Sequence, residues 1–145
     1  EIICPECSIL TPNILEAKLL LNNHNMHLEK MAANFLDLGV DAVLIKGGHN
    51  DSEICSDFFS DGENTFYLES PRIYTKATHG TGCILSSAIA ASLAKQKSLV
   101  EAVIQAKTFL NFTLENSPEI GQGFGPSTIN KLDNSSKYKP KIIIK

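Results

Sequence analysis

The segment best equipped for chemistry is residues 78–94, where a glycine-rich turn runs into a helix of small residues. Gly80 and Gly82 permit backbone conformations closed to other residues and leave space for an incoming group. The first N–H groups of such a helix have no intrahelical acceptor, and the helix dipole attracts anions to that end. Cys83 lies in the first turn, where the same field stabilises a thiolate. The pattern predicts a phosphate-binding turn; the alternative is an ordinary helix start with a passive cysteine.

Two further groups of residues could contribute to such a site. Asn13 and Glu16 stand three positions apart at the start of a predicted helix, which is the spacing of a capping box. The same carboxylate could instead order Mg²⁺ and water beside phosphates. Lys46 ends the most apolar strand candidate, and its side chain could reach a phosphate there. The alternative is a surface lysine before a turn.

The other thiols and imidazoles give a weaker signal. Cys4 and Cys7 have the spacing of half a zinc site or of a redox pair, but no second pair completes a ligand set. We interpret them as structural or incidental thiols. His24 and His27 lie in a polar hinge and are expected to face solvent.

Composition narrows the class of protein. The 145 residues, 43% hydrophobic and 20% charged, suit one globular domain. Residues 1–130 carry 8 basic and 15 acidic side chains, a net charge of −7, whereas residues 131–145 carry five lysines against one aspartate. An acidic body argues against nucleic acid as a partner. No apolar run approaches the ~20 residues of a membrane span. Four scattered cysteines favour a reduced, cytoplasmic protein.

Hydrophobic periodicity places these residues on alternating helices and strands. It predicts helices over residues 13–22 and 28–36, a helix after the turn at 78–83, and one opening at Ser98. Strand candidates are residues 8–11, 40–45, 54–59 and 65–69, the last two as a hairpin. The buried run 42–45 is typical of a parallel strand covered on both faces. We therefore predict an α/β fold with a largely parallel sheet flanked by helices, and ligands at the carboxyl ends of its strands. No regular structure is predicted from Ser117 onward.

Taken in order, these motifs carry a family resemblance. The motifs are Thr-Pro-Asn-x-x-Glu (11–16), Val-Leu-Ile-Lys-Gly-Gly-His (43–49), Ser-Pro-Arg-Ile (70–73), Thr-His-Gly-Thr-Gly-Cys (78–83), Ser-Leu-x-Glu-Ala-Val-x-x-Ala-Lys (98–107) and Gly-x-Gly-x-Gly-Pro (121–126). The chain closely resembles the hydroxymethylpyrimidine/phosphomethylpyrimidine kinases of thiamine biosynthesis, in the ribokinase-like superfamily. The resemblance spans about residues 8–126. It implies ATP- and Mg²⁺-dependent phosphorylation of 4-amino-5-hydroxymethyl-2-methylpyrimidine and then of its monophosphate.

The resemblance also implies a role for each candidate residue. The backbone of residues 80–83 would form the anion hole over the transferred phosphoryl group, and Cys83 would stand where most ribokinase-like relatives carry an aspartate base. Asn13 and Glu16 would order metal and phosphate, with any Mg²⁺ contact of Glu16 being indirect. Lys46 and Thr81 would lie along the nucleotide phosphates. Phosphoryl transfer needs little covalent help, so positioning and charge stabilisation suffice for most of it.

The chain departs from the family at its beginning. Relatives start with a half that grips the pyrimidine, and nothing corresponding precedes Glu1. We therefore expect residues 1–126 to be the C-terminal, nucleotide-binding half of the kinase, inactive alone, requiring the missing N-terminal half and prone to form homo-oligomers. Residues 127–145 are expected to be a solvated basic tail or the start of a further segment.

Two alternatives to this kinase reading stay open. The chain could be a nucleotide-binding or interaction fragment that has lost catalysis. Within the enzymes, a pyridoxal kinase-like activity is the nearest competitor, although Cys83 favours the pyrimidine enzyme because the classical pyridoxal kinases carry aspartate there.

Overall fold

The computed structural model describes residues 4–48, 52–118, 124–125, 127, 131–132 and 135–144. His49 and most of the Gly121–Pro126 motif lie outside the described residues. A short 3-10 helix spans Cys4–Glu6 and precedes the regular elements. These are α1 (Ile14–Leu20), α2 (Leu28–Asp37), β1 (Val43–Ile45), β2 (Ile54–Ser60), β3 (Thr65–Pro71), α3 (Thr81–Leu93), α4 (Leu99–Glu115), α5 (Ser135–Tyr138) and β4 (Lys141–Ile144).

The chain divides into two compact units. The first comprises Glu1–Pro71 with Lys141–Lys145, and the second comprises Arg72–Pro140. The sheet, α1 and α2 belong to the first unit, and α3, α4 and α5 belong to the second. The assignment of residues 1–126 as one nucleotide-binding half stays a prediction.

The four described strands form one sheet in the order β1-β2-β3-β4, and every neighbouring pair is antiparallel. Parallel pairing is confined to isolated bridges, Leu10 with Val43 and Asn13 with Lys46. The described ladder therefore differs from the largely parallel sheet expected from the sequence. The reason is that a short run buried on both faces, as Val43–Ile45 is, reports burial and carries no information about strand direction.

Local signals in the sequence account for most of the elements. The predicted hairpin is confirmed, with Phe59 opposite Phe66 and Ser60 opposite Thr65. Its turn is held by the Asp61 carboxylate, which accepts the backbone N–H of Asn64 at 2.6 Å. Partial desolvation opposes ionisation of this partly exposed carboxyl, but backbone and side-chain hydrogen bonds from Asn64 and a backbone hydrogen bond from Glu63 together hold the pKa of Asp61 below its usual value.

Helices α1 and α2 bury their apolar faces against one side of this sheet. The core there contains Ala17, Met31, Ala32, Phe35, Val43, Ile45 and Phe58. Tyr67 on β3 joins this core and donates a hydrogen bond of 2.5 Å from its hydroxyl to Glu29 on α2. Burial, together with that hydrogen bond and the charge of Glu29, raises the pKa of Tyr67 to about 12. The phenol therefore stays protonated and keeps α2 tied to the sheet throughout the neutral range.

The second unit is built on α3 and α4. Ser98 and Glu101 form the capping box predicted for α4, with the Ser98 hydroxyl accepting the Glu101 N–H at 3.3 Å. Tyr138 of α5 packs edge-on against Phe112, and its carbonyl accepts a 2.9 Å hydrogen bond from the Asn111 side chain. Lys137 forms an ion pair with Glu115 at 2.8 Å. None of the described helices is long and apolar enough to cross a membrane.

The described part of residues 127–145 is more ordered than the sequence suggested. Residues 135–138 are helical, and Lys141–Ile144 pair with β3 as the fourth strand of the sheet. These residues are therefore not an unstructured tail, although most side chains of β4 are exposed, and the alternative of a further segment stays a prediction. The run Ile142-Ile143-Ile144 supplies the β propensity, and Ile143 pairs with Tyr67.

Candidate functional site

Helix α3 begins at a glycine in the left-handed region. Gly80 is the N-cap residue with φ +80° and ψ 3°, a conformation that side-chain-bearing residues adopt with strain. Its carbonyl accepts the N–H of Ile84 at 2.9 Å, which opens the helical ladder. The Thr81 hydroxyl donates to the Thr78 carbonyl at 3.1 Å, across the turn. The glycine therefore redirects the chain so that the first turn of α3 follows the loop directly.

The start of α3 lacks the local partners that the other long helices carry. Asn13 caps α1 and Ser98 caps α4 through capping boxes, and the first turn of α2 contains Glu29. At α3 no side chain caps the first turn and that turn contains no acidic residue. No local side-chain cap or carboxylate therefore accepts hydrogen bonds from the N–H groups at this helix start. A helix start of this kind favours an anionic ligand.

The loop before α3 is fixed by hydrogen bonds to residues 125 and 127. The Gly125 N–H donates to the Lys76 carbonyl at 3.0 Å, and the Ser127 hydroxyl donates to the Ala77 carbonyl at 2.7 Å. Ala77 is completely buried. Part of the glycine-rich motif at 121–126 thereby holds the loop that leads into α3, a link that the separate motifs did not reveal.

Cys83 is exposed and is a free thiol. It lies in the first turn of α3, as predicted, and Gly80, Thr81 and Gly82 beside it are partly exposed. Cys83 is therefore not a buried, purely structural cysteine.

Asn13 and Glu16 form the capping box that their spacing indicated. The Asn13 side-chain oxygen accepts the Glu16 N–H at 2.8 Å, and the Glu16 carboxylate accepts the Asn13 N–H at 2.7 Å. The capping interpretation is confirmed. The role in ordering metal or phosphate stays a prediction, and it must be performed by a carboxylate that already has one structural hydrogen bond.

Lys46 directly follows β1 and lies beside Asn13. The two residues form a parallel bridge, in which the Lys46 carbonyl accepts the Ile14 N–H at 3.2 Å and the Lys46 N–H donates to Pro12 at 2.8 Å. Asn13, Glu16 and Lys46 therefore meet at the carboxyl end of β1. Gly80, Thr81, Gly82 and Cys83 form a separate group in the second unit.

The weaker candidates lie at or near the surface. Cys4 and Cys7 are partly exposed, and the Cys7 N–H donates a hydrogen bond of 3.1 Å to the Cys4 carbonyl. His24 and His27 face solvent. Among the described residues, no group of three or more His, Cys, Asp or Glu side chains could hold a metal ion.

The sequence did not reveal two residues that hold the turn after β1. Asp57 of β2 is only 2% exposed, and its carboxylate accepts the Gly47 N–H at 2.9 Å. A Cβ at Gly47 would lie 1.9 Å from the Ser56 carbonyl oxygen, so only glycine fits there. The available signal was a single acid beside two phenylalanines in a predicted strand, since a buried charge requires a reason.

The family follows from a match that covers most of the chain. Residues 1–128 match the sequence model of the family described as phosphomethylpyrimidine kinase. The chain belongs to this family. The hydroxymethylpyrimidine/phosphomethylpyrimidine kinase of Staphylococcus aureus strain MSSA476 is 39% identical over 127 residues, which are 84% of this chain and 46% of that protein. The chain thus spans about half the length of the curated relatives it matches.

Comparison with solved structures also matches this phosphomethylpyrimidine kinase family member to about half of a kinase. The structure of pyridoxal kinase from Staphylococcus aureus superposes with a TM-score of 0.85 at 29% identity, over 99% of this chain and 54% of that one. Its complex with ADP gives a TM-score of 0.80 at 33% identity, over 86% and 48%. The predicted α/β, ribokinase-like fold and the resemblance to the C-terminal half of the kinase are confirmed.

Proposed function

We propose that this chain is the nucleotide-binding half of a kinase that transfers the γ-phosphoryl group of ATP to hydroxymethylpyrimidine and then to its monophosphate. The observation that carries the proposal is the start of α3, where left-handed Gly80 leads into a first turn that has neither a cap nor an acid. Family membership and the likeness to an ADP-bound kinase support ATP as the phosphate source. The 80–83 backbone is then the anion hole.

The reaction requires few covalent steps. The acceptor hydroxyl forms a new P–O bond, the bond between the γ-phosphorus and the bridging oxygen breaks, and ADP leaves. The hydroxyl proton passes to the Cys83 thiolate, which acts as the general base in this proposal. Backbone N–H groups of the first turn of α3 offset the charge on the transferred group, which is the main requirement of phosphoryl transfer.

The residues at the carboxyl end of β1 serve the nucleotide in this proposal. Lys46 contacts the nucleotide phosphates. Glu16 suits an indirect metal role, because Mg²⁺ retains water and phosphate ligands and needs one or two protein carboxylates rather than a cage. The metal would supply charge neutralisation on the phosphates when bound. Asn13 keeps Glu16 in place through the capping box.

A substitution at Glu16 separates its two roles. Glu16→Gln keeps an oxygen that can accept the Asn13 N–H and removes the charge. We expect the melting temperature to stay close to that of the wild type, whereas loss of an N-cap interaction costs about 0.5–2 kcal/mol. Turnover at limiting Mg²⁺ should fall, and added Mg²⁺ should restore part of it. Asn13→Ala is the control for the cap, because it lowers stability and leaves the charge. Full activity of Glu16→Gln at limiting Mg²⁺ would refute the metal role.

The acceptor is proposed from the relatives. The Staphylococcus aureus relative is a kinase of hydroxymethylpyrimidine and its phosphate by name. The chloroplastic thiamine biosynthetic bifunctional enzyme of Arabidopsis thaliana is 41% identical over 130 residues, which are 86% of this chain and 25% of that protein. The solved pyridoxal kinases make pyridoxal the second candidate. Comparing kcat/KM for the two acceptors in the intact kinase decides between them. We expect the pyrimidine to be favoured, and a preference for pyridoxal would overturn that choice.

The chain is expected to need a substrate-binding half. Along α1, Leu15, Leu19 and Leu20 are 55%, 70% and 65% exposed. Leu19 and Leu20 border a pocket of about 390 Å³ that is also lined by Leu10, Thr11 and Pro12, beside the edge of the sheet next to β1. Such apolar surface at a strand edge favours association, either with the missing half or with another copy.

The need for a substrate-binding half can be tested with the chain on its own. The chain alone should give oligomers by multi-angle light scattering and no pyrimidine phosphorylation. Addition of the N-terminal half of the Staphylococcus aureus relative should produce turnover. A monomer with kinase activity on its own would contradict the proposal, whereas ATP binding without turnover in the mixture would favour the inactive-fragment alternative. We propose a cytoplasmic location, because the four cysteines are few and scattered along the sequence.

A further inference from the structure

The turn after β1 is fixed more firmly than a surface turn requires. Gly47 approaches the Ser56 carbonyl so closely that an added Cβ would lie 1.9 Å from its oxygen. Gly47 also donates its N–H to the Asp57 carboxylate at 2.9 Å. The two contacts come from adjacent residues of β2, one through its backbone and the other through its side chain. They hold the residue that directly follows Lys46 from two sides.

Asp57 lies where an unpaired charge would be costly. Asp57 is only 2% exposed. Its pairing partner on β3, Leu68, is completely buried. Burying a carboxylate requires compensating hydrogen bonds, and bonds from a backbone N–H to an ionised oxygen are about twice as strong as neutral ones. Ser56 precedes it along β2, and Phe58 and Phe59 follow it. A buried acid at this position therefore depends on donors such as the Gly47 N–H.

The strand register shows what this contact positions. Ile45 pairs with Phe58, so Lys46 is the next residue along from the β1–β2 ladder, on the side of Asp57. Lys46 also bridges Asn13 on the other side, through its backbone. The backbone of Lys46 is thereby held between the α1 start and the Gly47 anchor. Its side chain consequently leaves the sheet from a fixed point.

We infer that Asp57 is a positioning residue for nucleotide binding, acting through Gly47 to fix the point from which Lys46 reaches the phosphates. The inference rests on the proposed function, in which Lys46 lies along the nucleotide. Asp57 does not itself touch the nucleotide in this account. Loss of its carboxylate therefore loosens the turn and weakens ATP binding while leaving the acceptor site unaffected.

The test compares Asp57→Ala, Asp57→Asn and Ser60→Ala in the intact kinase. Asp57→Ala should raise the KM for ATP about tenfold or more, with the KM for the acceptor within about twofold of wild type. Asp57→Asn keeps a side-chain oxygen that accepts the Gly47 N–H, so it should recover most of that loss. Ser60→Ala is the matched control, because it removes a buried hydroxyl at the other end of β2 that contacts Thr65 at 3.2 Å. It should lower the melting temperature without changing the KM for ATP.

The results decide separately on the nucleotide role of Lys46 and on the positioning role of Asp57. Equal changes in the KM for ATP in Asp57→Ala and Ser60→Ala, or equal changes in both KM values of Asp57→Ala, would reduce Asp57 to a structural residue. Lys46→Met separates this inference from the proposed function. If Lys46→Met leaves the KM for ATP unchanged, the nucleotide role of Lys46 fails; if it raises that KM and Asp57→Ala does not, the inference alone fails. Should Asp57→Ala not fold, Asp57→Ser provides the same comparison, because its shorter side chain does not reach Gly47.

Discussion

Replacing Cys83 with serine is expected to lower kcat of the intact kinase by about 100-fold or more if the thiol is the general base. Serine keeps the size and exposure of the side chain but does not ionise near neutral pH. Cys83 is exposed in the uncapped first turn of α3, beside the proposed anion hole. The measurement is kcat as a function of pH for wild type and variant, with saturating ATP and acceptor.

A second variant at Cys83 makes the result specific. Cys83→Asp supplies a carboxylate of the kind that the resemblance assigns to other ribokinase-like enzymes, so it should recover part of the lost turnover. Ser86→Ala is the control in the same helix, since it removes a hydroxyl one turn further on that donates to the Cys83 carbonyl at 3.2 Å. Wild-type turnover in Cys83→Ser, with an unchanged pH profile, would show that the thiol is a spacer.

Replacing Gly82 with valine is expected to abolish measurable ATP binding, which corresponds to a weakening of about 100-fold or more. The branched side chain would occupy the space that the proposal gives to a phosphate at the N-terminus of α3. Direct titration of the intact kinase with ATP measures this effect without requiring turnover.

The matched control for Gly82 is Ser87→Val, a substitution by the same residue at an exposed position of α3. It reproduces the loss of helix propensity that valine causes and leaves the helix start unaltered. ATP binding should remain close to that of the wild type. If Gly82→Val binds ATP as tightly as the wild type does, the phosphate site is wrongly assigned.

The sequence predicted well those features that depend on neighbouring residues. The capping boxes of α1 and α4 were readable from Asn13 with Glu16 and from Ser98 with Glu101, because all the partners lie within one turn. The β2–β3 hairpin followed from alternating apolar residues around Asp61 and Gly62. Hydrogen bonds between residues that are close in the chain leave a signal in a short stretch of sequence, and such bonds hold these caps and this turn.

Strand direction and long-range contacts were not encoded in the same way. An apolar run such as Val43–Ile45 predicts burial on both faces, but its partner and direction depend on residues far along the chain. The Asp57 contact was missed for a related reason. The pattern marks Asp57 as an unusual residue in an apolar strand and does not name Gly47 as the group it binds.

The pairing of β4 with β3 has a consequence for how the molecule is made. Phe66 pairs with Ile144, and the whole of the second unit lies between them in the chain. During synthesis, the β2–β3 hairpin can form early, but β4 leaves the ribosome only after α3 and α4. Until then the edge of β3 that pairs with β4 is open, which is the kind of surface that chaperones protect from aggregation. Pairing of β4 with β3 is therefore a late, high-contact-order step of folding.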